Sequence, residues 1–165
     1  VSYILVTILI FQWSYISIKW NENYSNELVI FNEKSTLIGI KNHNNVIAFS
    51  DAPELHATTL NHYARGTFSD SLRIFPMQNV ISFQDKRILV IDSFGIYKTS
   101  VRPEIIVLIQ NPRINLSRLL GELKPKLIIA DKSNYKNNCK LWEATCRKEK
   151  IPFHAIAEKG FYTIK

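Results

Sequence analysis

The clearest hydrophobic pattern lies in the second half of the chain. Residues 105–109 and 127–130 are short, uncharged runs rich in isoleucine, which predicts two strands buried on both faces. Between them, Asn115 can cap a helix, and Lys124 with Pro125 ends it. The apolar face of this helix consists of Leu116, Leu119, Leu120 and Leu123. Two buried strands joined by a helix predict a parallel pair with a right-handed crossover.

A second helix is predicted after the strand at 127–130. Ser133 or Asn134 can cap it, and Pro152 marks its end. One stripe of this helix holds Tyr135, Cys139, Trp142 and Cys146. The two cysteines lie about 10 Å apart along the helix axis, which exceeds the reach of a disulfide bond. They are therefore predicted to be buried free thiols.

The first half of the chain alternates in the manner of antiparallel hairpins. Strands are predicted at 28–31, 36–40 and 46–49, with a hairpin turn at 42–45. Further strands are predicted at 72–75, 79–83 and 87–91, the last two forming a hairpin. The end of the chain adds two short strands, 153–156 and 161–164, around a turn at 158–160.

One helix is predicted within the first half. Pro53 fits its first turn, Ser50 or Asp51 can cap it, and Gly66 ends it. Its inner face is predicted to hold Leu55, Thr59, Leu60 and Tyr63. The whole pattern predicts an α/β domain with mixed sheets. Antiparallel hairpins come first, a strand-helix-strand-helix-strand half follows, and helices cover at least one sheet.

The start of the chain is almost wholly apolar from residue 1 to residue 11. Trp13, Tyr15, Lys19 and Trp20 follow, a mixture typical of a membrane interface. One interpretation is the end of a transmembrane helix; the other is a core strand or amphipathic helix of a soluble domain. The first is favoured because Thr7 is the only polar residue between Tyr3 and Phe11. Residues 1–20 are then a membrane segment, a polar linker spans 21–26, and residues 21–165 form one soluble domain.

The charge of the chain is distributed unevenly. The formal net charge is +7. Residues 1–100 carry 8 basic and 8 acidic side chains, whereas residues 101–165 carry 13 and 6, so the whole excess lies in the second half. Such an excess suits an anionic partner or an anionic membrane surface, although a solvated basic surface explains it equally well.

Motifs for catalysis are scarce. The histidines at 43, 56, 62 and 154 form no metal-binding motif, and the two on the predicted first-half helix, His56 and His62, fall on different faces. No glycine-rich phosphate loop is present, and no cofactor is predicted. Asp51, Asp92 and Asp131 each follow a strand, where active-site acids often lie. Capping or turn roles explain these three carboxylates equally well.

The loop after the strand at 127–130 is the best candidate for a binding surface. It spans 131–136, with Tyr135 in it and with Lys132, Ser133, Asn134 and Lys136 as its candidate contacts, and Arg113 follows the neighbouring strand. Backbone N–H groups at a helix start, together with basic side chains, can converge on an anion such as a DNA phosphate. Solvated loop lysines are the alternative.

The chain resembles the C-terminal end of ComEC-type competence proteins from Bacteroidetes-like bacteria. The resemblance rests on residues 111–115, 124–131, 133–136, 142, 144–146, 150–154 and 158–160, and in the first half on 27–31 and 36–40. It covers nearly the whole chain. It implies a piece of an inner-membrane channel for single-stranded DNA uptake, with the remainder of that channel protein as a partner and the soluble part on the periplasmic side.

The resemblance also implies a reduced metallo-β-lactamase-like domain. In many relatives that domain is proposed to act as a nuclease through a His-x-His-x-Asp-His cluster that holds metal. The present chain lacks this cluster, with Gln110-Asn111-Pro112 after one strand and Asp131-Lys132-Ser133-Asn134 after the next. We therefore expect a degenerate domain that retains the scaffold without catalysis.

The sequence is compatible with three functions. The leading one is a non-catalytic domain that handles incoming DNA or supports channel assembly. The second is a metal-dependent hydrolase or nuclease with an unrecognised site around Asp51, Asp92, Asp131 or the histidines. The third is a purely structural interaction module that binds no ligand.

Overall fold

The computed structural model describes residues 2–23, 25–98 and 102–165. The helices are α1 (Ser2–Asn23), α2 (Pro53–Gly66), α3 (Leu116–Leu123), α4 (Lys136–Lys148) and α5 (Ile156–Lys159). The first five strands are β1 (Asn26–Ile30), β2 (Leu37–Asn42), β3 (Asn45–Ser50), β4 (Ser71–Pro76) and β5 (Val80–Phe83). The others are β6 (Lys86–Ile91), β7 (Ile105–Leu108), β8 (Leu127–Ala130), β9 (Phe153–Ala155) and β10 (Tyr162–Ile164).

The ten strands form two mixed five-stranded sheets, which confirms the α/β class. The N-terminal sheet has the order β10-β1-β2-β3-β4, and the C-terminal sheet has the order β5-β6-β7-β8-β9. In the C-terminal sheet, β6 to β9 are all parallel and β5 pairs antiparallel with β6. The predicted parallel pair of β7 and β8 and the predicted β5–β6 hairpin are therefore confirmed.

The sheets and helices stack in four layers. A central apolar cluster joins the inner faces of the two sheets, including Leu28 and Ile38 from one sheet and Val107 and Ile129 from the other. A second cluster packs α3 and α4 on the outer face of the C-terminal sheet. A smaller third cluster, in which Leu60 of α2 meets Leu37 and Ala48, covers the N-terminal sheet. Each sheet thus buries both faces, which explains its long apolar runs.

The first half departs from the predicted succession of hairpins at β4. Strands β1, β2 and β3 form the predicted antiparallel meander, with the turn at residues 43–44. Strand β4, however, pairs parallel with β3 after the α2 crossover. Helix α2 makes this parallel pairing possible, because it carries the chain from the end of β3 back to the end of the sheet where β3 begins.

The last two strands do not form the predicted pair. Strand β9 adds to β8 in the C-terminal sheet, and β10 adds to β1 in the N-terminal sheet. The short helix α5 and Gly160, with φ of 84°, carry the chain from one sheet to the other. Ile156 and Ile164 both enter the central cluster, so apolar burial between the sheets decides this crossing.

Helix α2 begins at Pro53 as predicted, but its cap and inner face differ. Its N-cap is Ala52 without a side-chain cap, and Ser50 Oγ instead accepts a hydrogen bond from the Ala52 N–H at 2.9 Å. The buried residues of α2 are His56, Leu60 and Ala64. Leu55, predicted to face inward, is 76% exposed, because the true inner face is shifted by one position along the helix.

Helix α3 agrees closely with its prediction. The Asn115 side chain accepts a hydrogen bond from the Arg118 N–H at 3.0 Å, the geometry of a helix N-cap. Lys124 adopts the left-handed conformation with φ of 48° and ends the helix. Leu116, Leu119 and Leu120 are buried against the C-terminal sheet.

Helix α1 contains an 18-residue stretch, Tyr3–Trp20, that is long and apolar enough to cross a membrane, with a mean hydropathy of 1.3 and no part buried. The helix continues to Asn23, so three residues of the predicted 21–26 linker are helical. The ring of Tyr15 contacts the ring of Phe68, with centroids 5.8 Å apart. Residue 1 of the predicted membrane segment and residue 24 of the linker lie outside the described residues.

Candidate functional site

Parallel strands bring three loops together at one edge of the C-terminal sheet. Because β6, β7 and β8 run in the same direction, the segments at 92–95, 109–115 and 131–135 follow them at the same side. The end of β3 in the other sheet also reaches this edge, since the Gln110 Nε2 donates a hydrogen bond to Asp51 Oδ2 at 2.8 Å. This edge is therefore shared by both sheets.

Asp131 lies at the centre of this edge and is 2% exposed. One carboxylate oxygen accepts a hydrogen bond from Thr36 Oγ1 at 2.6 Å. The other oxygen accepts from the Ser133 N–H at 3.1 Å, from Ser133 Oγ at 2.5 Å and from Asn134 Nδ2 at 2.8 Å. Asp131 therefore ties the N-terminal sheet to the loop that follows β8.

The environment of Asp131 also controls its protonation. Burial raises the pKa of this carboxyl to about 6, because the charged form loses its water. The hydrogen bonds from Ser133 and Thr36 oppose this rise, and the nearby Asp51 charge adds to it. The carboxyl of Asp131 therefore titrates above the usual range for aspartate.

The polar side chains around Asp131 also build the start of α4. Asn134 is buried, and its Nδ2 donates to the Leu108 carbonyl at 2.6 Å, while its Oδ1 accepts from the Asn111 N–H at 2.9 Å. The Asn111 side chain in turn accepts hydrogen bonds from the Tyr135 N–H and from Asn138 Nδ2. The predicted caps, Ser133 and Asn134, are thus wrong: Tyr135 is the N-cap residue, and Asn111 from the neighbouring loop satisfies its N–H.

The loop after β7 has an unusual backbone that supports this arrangement. Gln110 and Asn111 both adopt positive φ, at 56° each. Asparagine tolerates this region better than glutamine does, so Gln110 is the strained residue. Its N–H is held by Ser133 Oγ at 2.7 Å, and its side chain by Asp51. These bonds keep the loops after β7 and β8 locked to each other.

A groove of about 890 Å³ opens beside this network, between the start of α3 and the first turns of α4. We name it the carboxyl-edge groove. Its lining includes Arg113, Asn115, Tyr135, Asn138, Leu141 and Trp142. Tyr135 is 71% exposed, contrary to the prediction of a buried stripe position, because it precedes the first turn of α4. An exposed guanidinium, an exposed aromatic ring and amide side chains therefore share one concave surface.

The five predicted binding residues occupy four different places. Arg113 is exposed and lines the carboxyl-edge groove. Lys132 lies towards the N-terminal sheet, with its Nζ 3.4 Å from the Asn32 carbonyl, and Lys136 lies 4.0 Å from the Glu158 carboxylate. Ser133 and Asn134 use their polar atoms inside the network around Asp131.

Sequence reasoning gave no site role to Asn111 or Asn138, and it placed Tyr135 both in the candidate loop at 131–136 and on the apolar stripe of α4. Asn111 follows a strand beside a proline, which is typical of a turn, so its role as a cap for a distant helix left no local pattern. Tyr135 was assigned to the apolar stripe of α4 because it lies four residues before Cys139. The shift of the helix start to Lys136 turns its ring outward instead.

Three of the other candidate catalytic groups, Asp92, His56 and His154, have structural partners. Asp92 Oδ1 accepts a hydrogen bond from the Phe94 N–H at 3.0 Å within a turn. His56 is buried with its Nε2 2.8 Å from Ser35 Oγ, and His62 is exposed, so the two lie on different faces as predicted. His154 Nε2 lies 2.9 Å from the Gly160 carbonyl.

The residues at this edge do not fit the metal site that the family resemblance implies. Gln110, Asn111, Lys132 and Ser133 stand where metal ligands are expected, and the oxygens of Asp131 already accept four hydrogen bonds. Within residues 2–23, 25–98 and 102–165, no group of three or more His, Cys, Asp or Glu side chains could hold a metal ion. We derive no chemical step through a metal.

The two cysteines are buried and unpaired, as predicted. Burial raises the pKa of the Cys139 thiol and of the Cys146 thiol to about 11. A nucleophilic cysteine needs the opposite change, because the thiolate is the reactive form. Both side chains pack in the cluster beneath α3 and α4.

Comparison with known protein families gives one match over most of the chain. Residues 28–165 match the family model of the ComEC C-terminal domain. This match confirms the resemblance seen in the sequence, and it links the chain to competence DNA uptake and to a larger membrane protein. No curated protein matches the chain.

Proposed function

Because the chain belongs to the ComEC C-terminal domain family, we propose that it is a non-catalytic domain of a DNA-uptake channel and that its carboxyl-edge groove binds single-stranded DNA. The observation that carries this proposal is the placement of Arg113 and Tyr135 in one open groove. The guanidinium of Arg113 suits a phosphate, and the ring of Tyr135 suits a base.

The chemistry of the groove matches a single strand. The exposed guanidinium of Arg113 can form a bidentate pair with a phosphate. The exposed ring of Tyr135 offers a face on which an unpaired base can stack, which contributes about 1–3 kcal/mol in single-strand binding proteins. Asn115 and Asn138 place amide groups near the same surface, where they can bond base edges or sugar.

The charge around the groove supports the same ligand. Lys132 and Lys136 follow β8 at the same edge of the sheet, although neither lines the groove, and Lys140 is exposed one turn further along α4. The net excess of 13 basic over 6 acidic side chains in residues 101–165 raises the local concentration of polyanions. Ser133 and Asn134 serve this site indirectly, by holding the loop in place.

The non-catalytic part of the proposal rests on how the acids are used. Asp131 bridges the two sheets and accepts four hydrogen bonds, Asp51 accepts one from Gln110, and Asp92 closes a turn. These roles are those of a scaffold. We propose that the chain is a degenerate metallo-β-lactamase-like domain in which the loops at this edge now hold each other.

We also propose a membrane attachment through residues 1–20, followed by one soluble domain. The stretch Tyr3–Trp20 is apolar and unburied, and Trp13, Tyr15 and Trp20 are typical of a membrane interface. In this proposal the membrane is the bacterial inner membrane and the domain faces the periplasm.

The test is a titration of the full chain, in non-ionic detergent micelles, with a fluorescent single-stranded oligonucleotide at low and high salt. We expect sequence-independent binding that weakens strongly as salt rises. The double variant R113Q/Y135A should lose most of this affinity. The control R73Q/F161A removes the same two kinds of exposed side chain elsewhere and should bind as the unaltered chain does.

Three outcomes would contradict the proposal. Equal binding by R113Q/Y135A and by its control would place DNA elsewhere. Cleavage of the oligonucleotide upon addition of zinc or manganese would show a hydrolase, and an absence of binding at every salt concentration would favour a structural module.

A further inference from the structure

A second basic pocket lies at the opposite edge of the C-terminal sheet, where β6, β7 and β8 begin. We name it the amino-edge pocket; its volume is about 410 Å³. Its charged lining consists of Arg87, Arg102, Glu104, Glu122, Lys124 and Lys126. None of these residues belongs to the carboxyl-edge groove, from which α3 separates it.

The two acids of the amino-edge pocket are already paired. The Glu104 carboxylate lies 2.9 Å from Lys126 Nζ, and the Glu122 carboxylate lies 2.7 Å from Arg118 Nε. The hydrogen bond from Lys126 lowers the pKa of Glu104, and the nearby charges of Arg87 and Lys86 add to this effect. The pocket thus carries cations beyond those that its own acids neutralise.

Three of these cations have no acidic partner within the described residues: Arg87, Arg102 and Lys124. The backbone is anchored at two of them, Arg87 in β6 and Lys124, whose N–H donates to the Leu120 carbonyl. The Glu104 N–H donates to the Arg87 carbonyl at 2.9 Å, and the Lys126 N–H donates to the Glu104 carbonyl at 2.7 Å. Lys124 ends α3 in the left-handed conformation. A fixed group of unneutralised cations is the arrangement that a phosphate requires.

A third depression lies along the side of α3, next to the pocket and close to the groove. Its volume is about 420 Å³, and Lys98, Arg118 and Glu122 contribute to its lining. Glu122 also lines the amino-edge pocket. At the other end, Gly95 lines the depression and lies against Arg113 and Ile114 of the groove. The three concave surfaces therefore follow one another from edge to edge of the sheet.

We infer that the amino-edge pocket is a second phosphate site, and that a single DNA strand lies along α3 between it and the carboxyl-edge groove. This inference rests on the proposed function of the groove. Helix α3 has 8 residues, a length of about 12 Å, so the complete path suits a strand of about 4 to 8 nucleotides, within the site sizes of single-strand binders. Strands that cover only the groove should not reach the pocket.

The test compares two lengths of oligothymidylate, about 3 and about 12 nucleotides, on the full chain in non-ionic detergent micelles. The triple variant R87Q/R102Q/K124N removes the three cations, and asparagine tolerates the conformation of residue 124. The control K34Q/R65Q/R73Q removes three exposed cations from the N-terminal half. Both variants lower the net charge equally.

For the long strand, the triple variant should lower the salt slope of log K by about 2, at about 0.7 per lost phosphate contact on a single strand. The control should change neither the slope nor the affinity beyond the shared effect of net charge. For the short strand, the two variants should bind alike. Should the triple variant fail to fold, R102Q alone, in the irregular segment before β7, should give about a third of the change.

The inference is overturned if the triple variant and the control bind the long strand with the same slope. In that case binding by the unaltered chain, and its loss in R113Q/Y135A, would still support the groove. If the unaltered chain binds neither oligonucleotide at low salt, the proposed function fails and the second site fails with it.

Discussion

The two halves of this domain differ in one respect: most of their cations are exposed, but one half also buries a lysine. The neutral half, residues 1–100, buries Lys41 completely, with its Nζ bonded to the carbonyl and hydroxyl of Ser25. In the described part of the basic half, residues 102–165, all 13 lysines and arginines are exposed. The same layered architecture thus contains a structural cation in one half and a set of surface cations in the other.

This difference shows which charges are available to a partner. A buried lysine is committed to its internal hydrogen bonds, since leaving water without such bonds is costly. An exposed lysine or arginine contributes little to stability and keeps its charge for a ligand. The buried polar residues of the basic half, Asp131 and Asn134, belong to the network that shapes the carboxyl-edge groove.

The largest effect is expected where the comparison is most direct, in the two matched variants K41A and K140A. K41A removes a fully buried side chain together with its two hydrogen bonds to Ser25, so the free energy of unfolding should fall by about 4 kcal/mol. K140A removes an exposed side chain from the middle of α4 and should change the free energy of unfolding by less than about 0.5 kcal/mol. Urea unfolding followed by tryptophan fluorescence measures both. Equal changes in the free energy of unfolding for K41A and K140A would contradict the distinction between a structural and a surface cation.

The second largest effect is expected in the pH dependence of stability, through Asp131, the buried acid of the basic half. The pKa of Asp131 is about 6 in the folded state and 3.8 in the reference state. The folded protein therefore binds the proton more tightly, and the stability this contributes is present below pH 3.8 and is lost as pH rises through 6. At about 1.4 kcal/mol per pKa unit, the contribution of Asp131 should fall by about 3 kcal/mol between pH 3 and pH 7.

The variant D131N isolates this effect, because its side chain does not titrate. The difference in unfolding free energy between the unaltered chain and D131N should shift by the stated amount across the pH range, in favour of the unaltered chain at low pH. A difference that stays constant with pH would show that the Asp131 carboxyl does not change its pKa on folding.

The smallest effect tests the link between the halves. T36V removes the hydroxyl that donates to Asp131 across the two sheets. The free energy of unfolding should fall by about 1–2 kcal/mol, because the buried carboxylate loses one donor. T36S retains the hydroxyl and serves as the control. Because valine keeps the methyl group of threonine, a free energy of unfolding that falls in T36S but not in T36V would attribute the loss to packing of the methyl group and contradict the prediction.

The sequence predicted the fold best where local pattern and burial agree. Strands β7 and β8 and helix α3, with its Asn115 cap and its ending at Lys124, follow the prediction within a residue or so. The hairpin of β5 and β6 does the same. Of the site, the sequence located the loop after β8 and the basic Arg113, because both follow apolar strands whose ends share one edge.

The remaining part of the site depends on contacts between distant residues. Asn111 satisfies the start of α4, which lies 24 residues away along the chain. Thr36 bonds Asp131 across 95 residues. Hydropathy periodicity carries no information about such pairs, because a polar residue in a loop has the same local pattern whether it faces solvent or a buried partner.

The sequence alone determined the class of the fold, the order of most elements and the placement of the charge, because these follow from hydropathy at spacings of two to four residues and from composition. Only the tertiary structure decided that β9 and β10 join different sheets, that α2 faces inward through His56 instead of Leu55, and that Tyr135 turns outward into a groove. The first depends on the packing of the two sheets, which buries Ile156 and Ile164 between them. The second depends on the outer face of the N-terminal sheet, against which Leu60 of α2 packs. The third depends on the hydrogen bond from the Tyr135 N–H to Asn111, because it sets the start of α4.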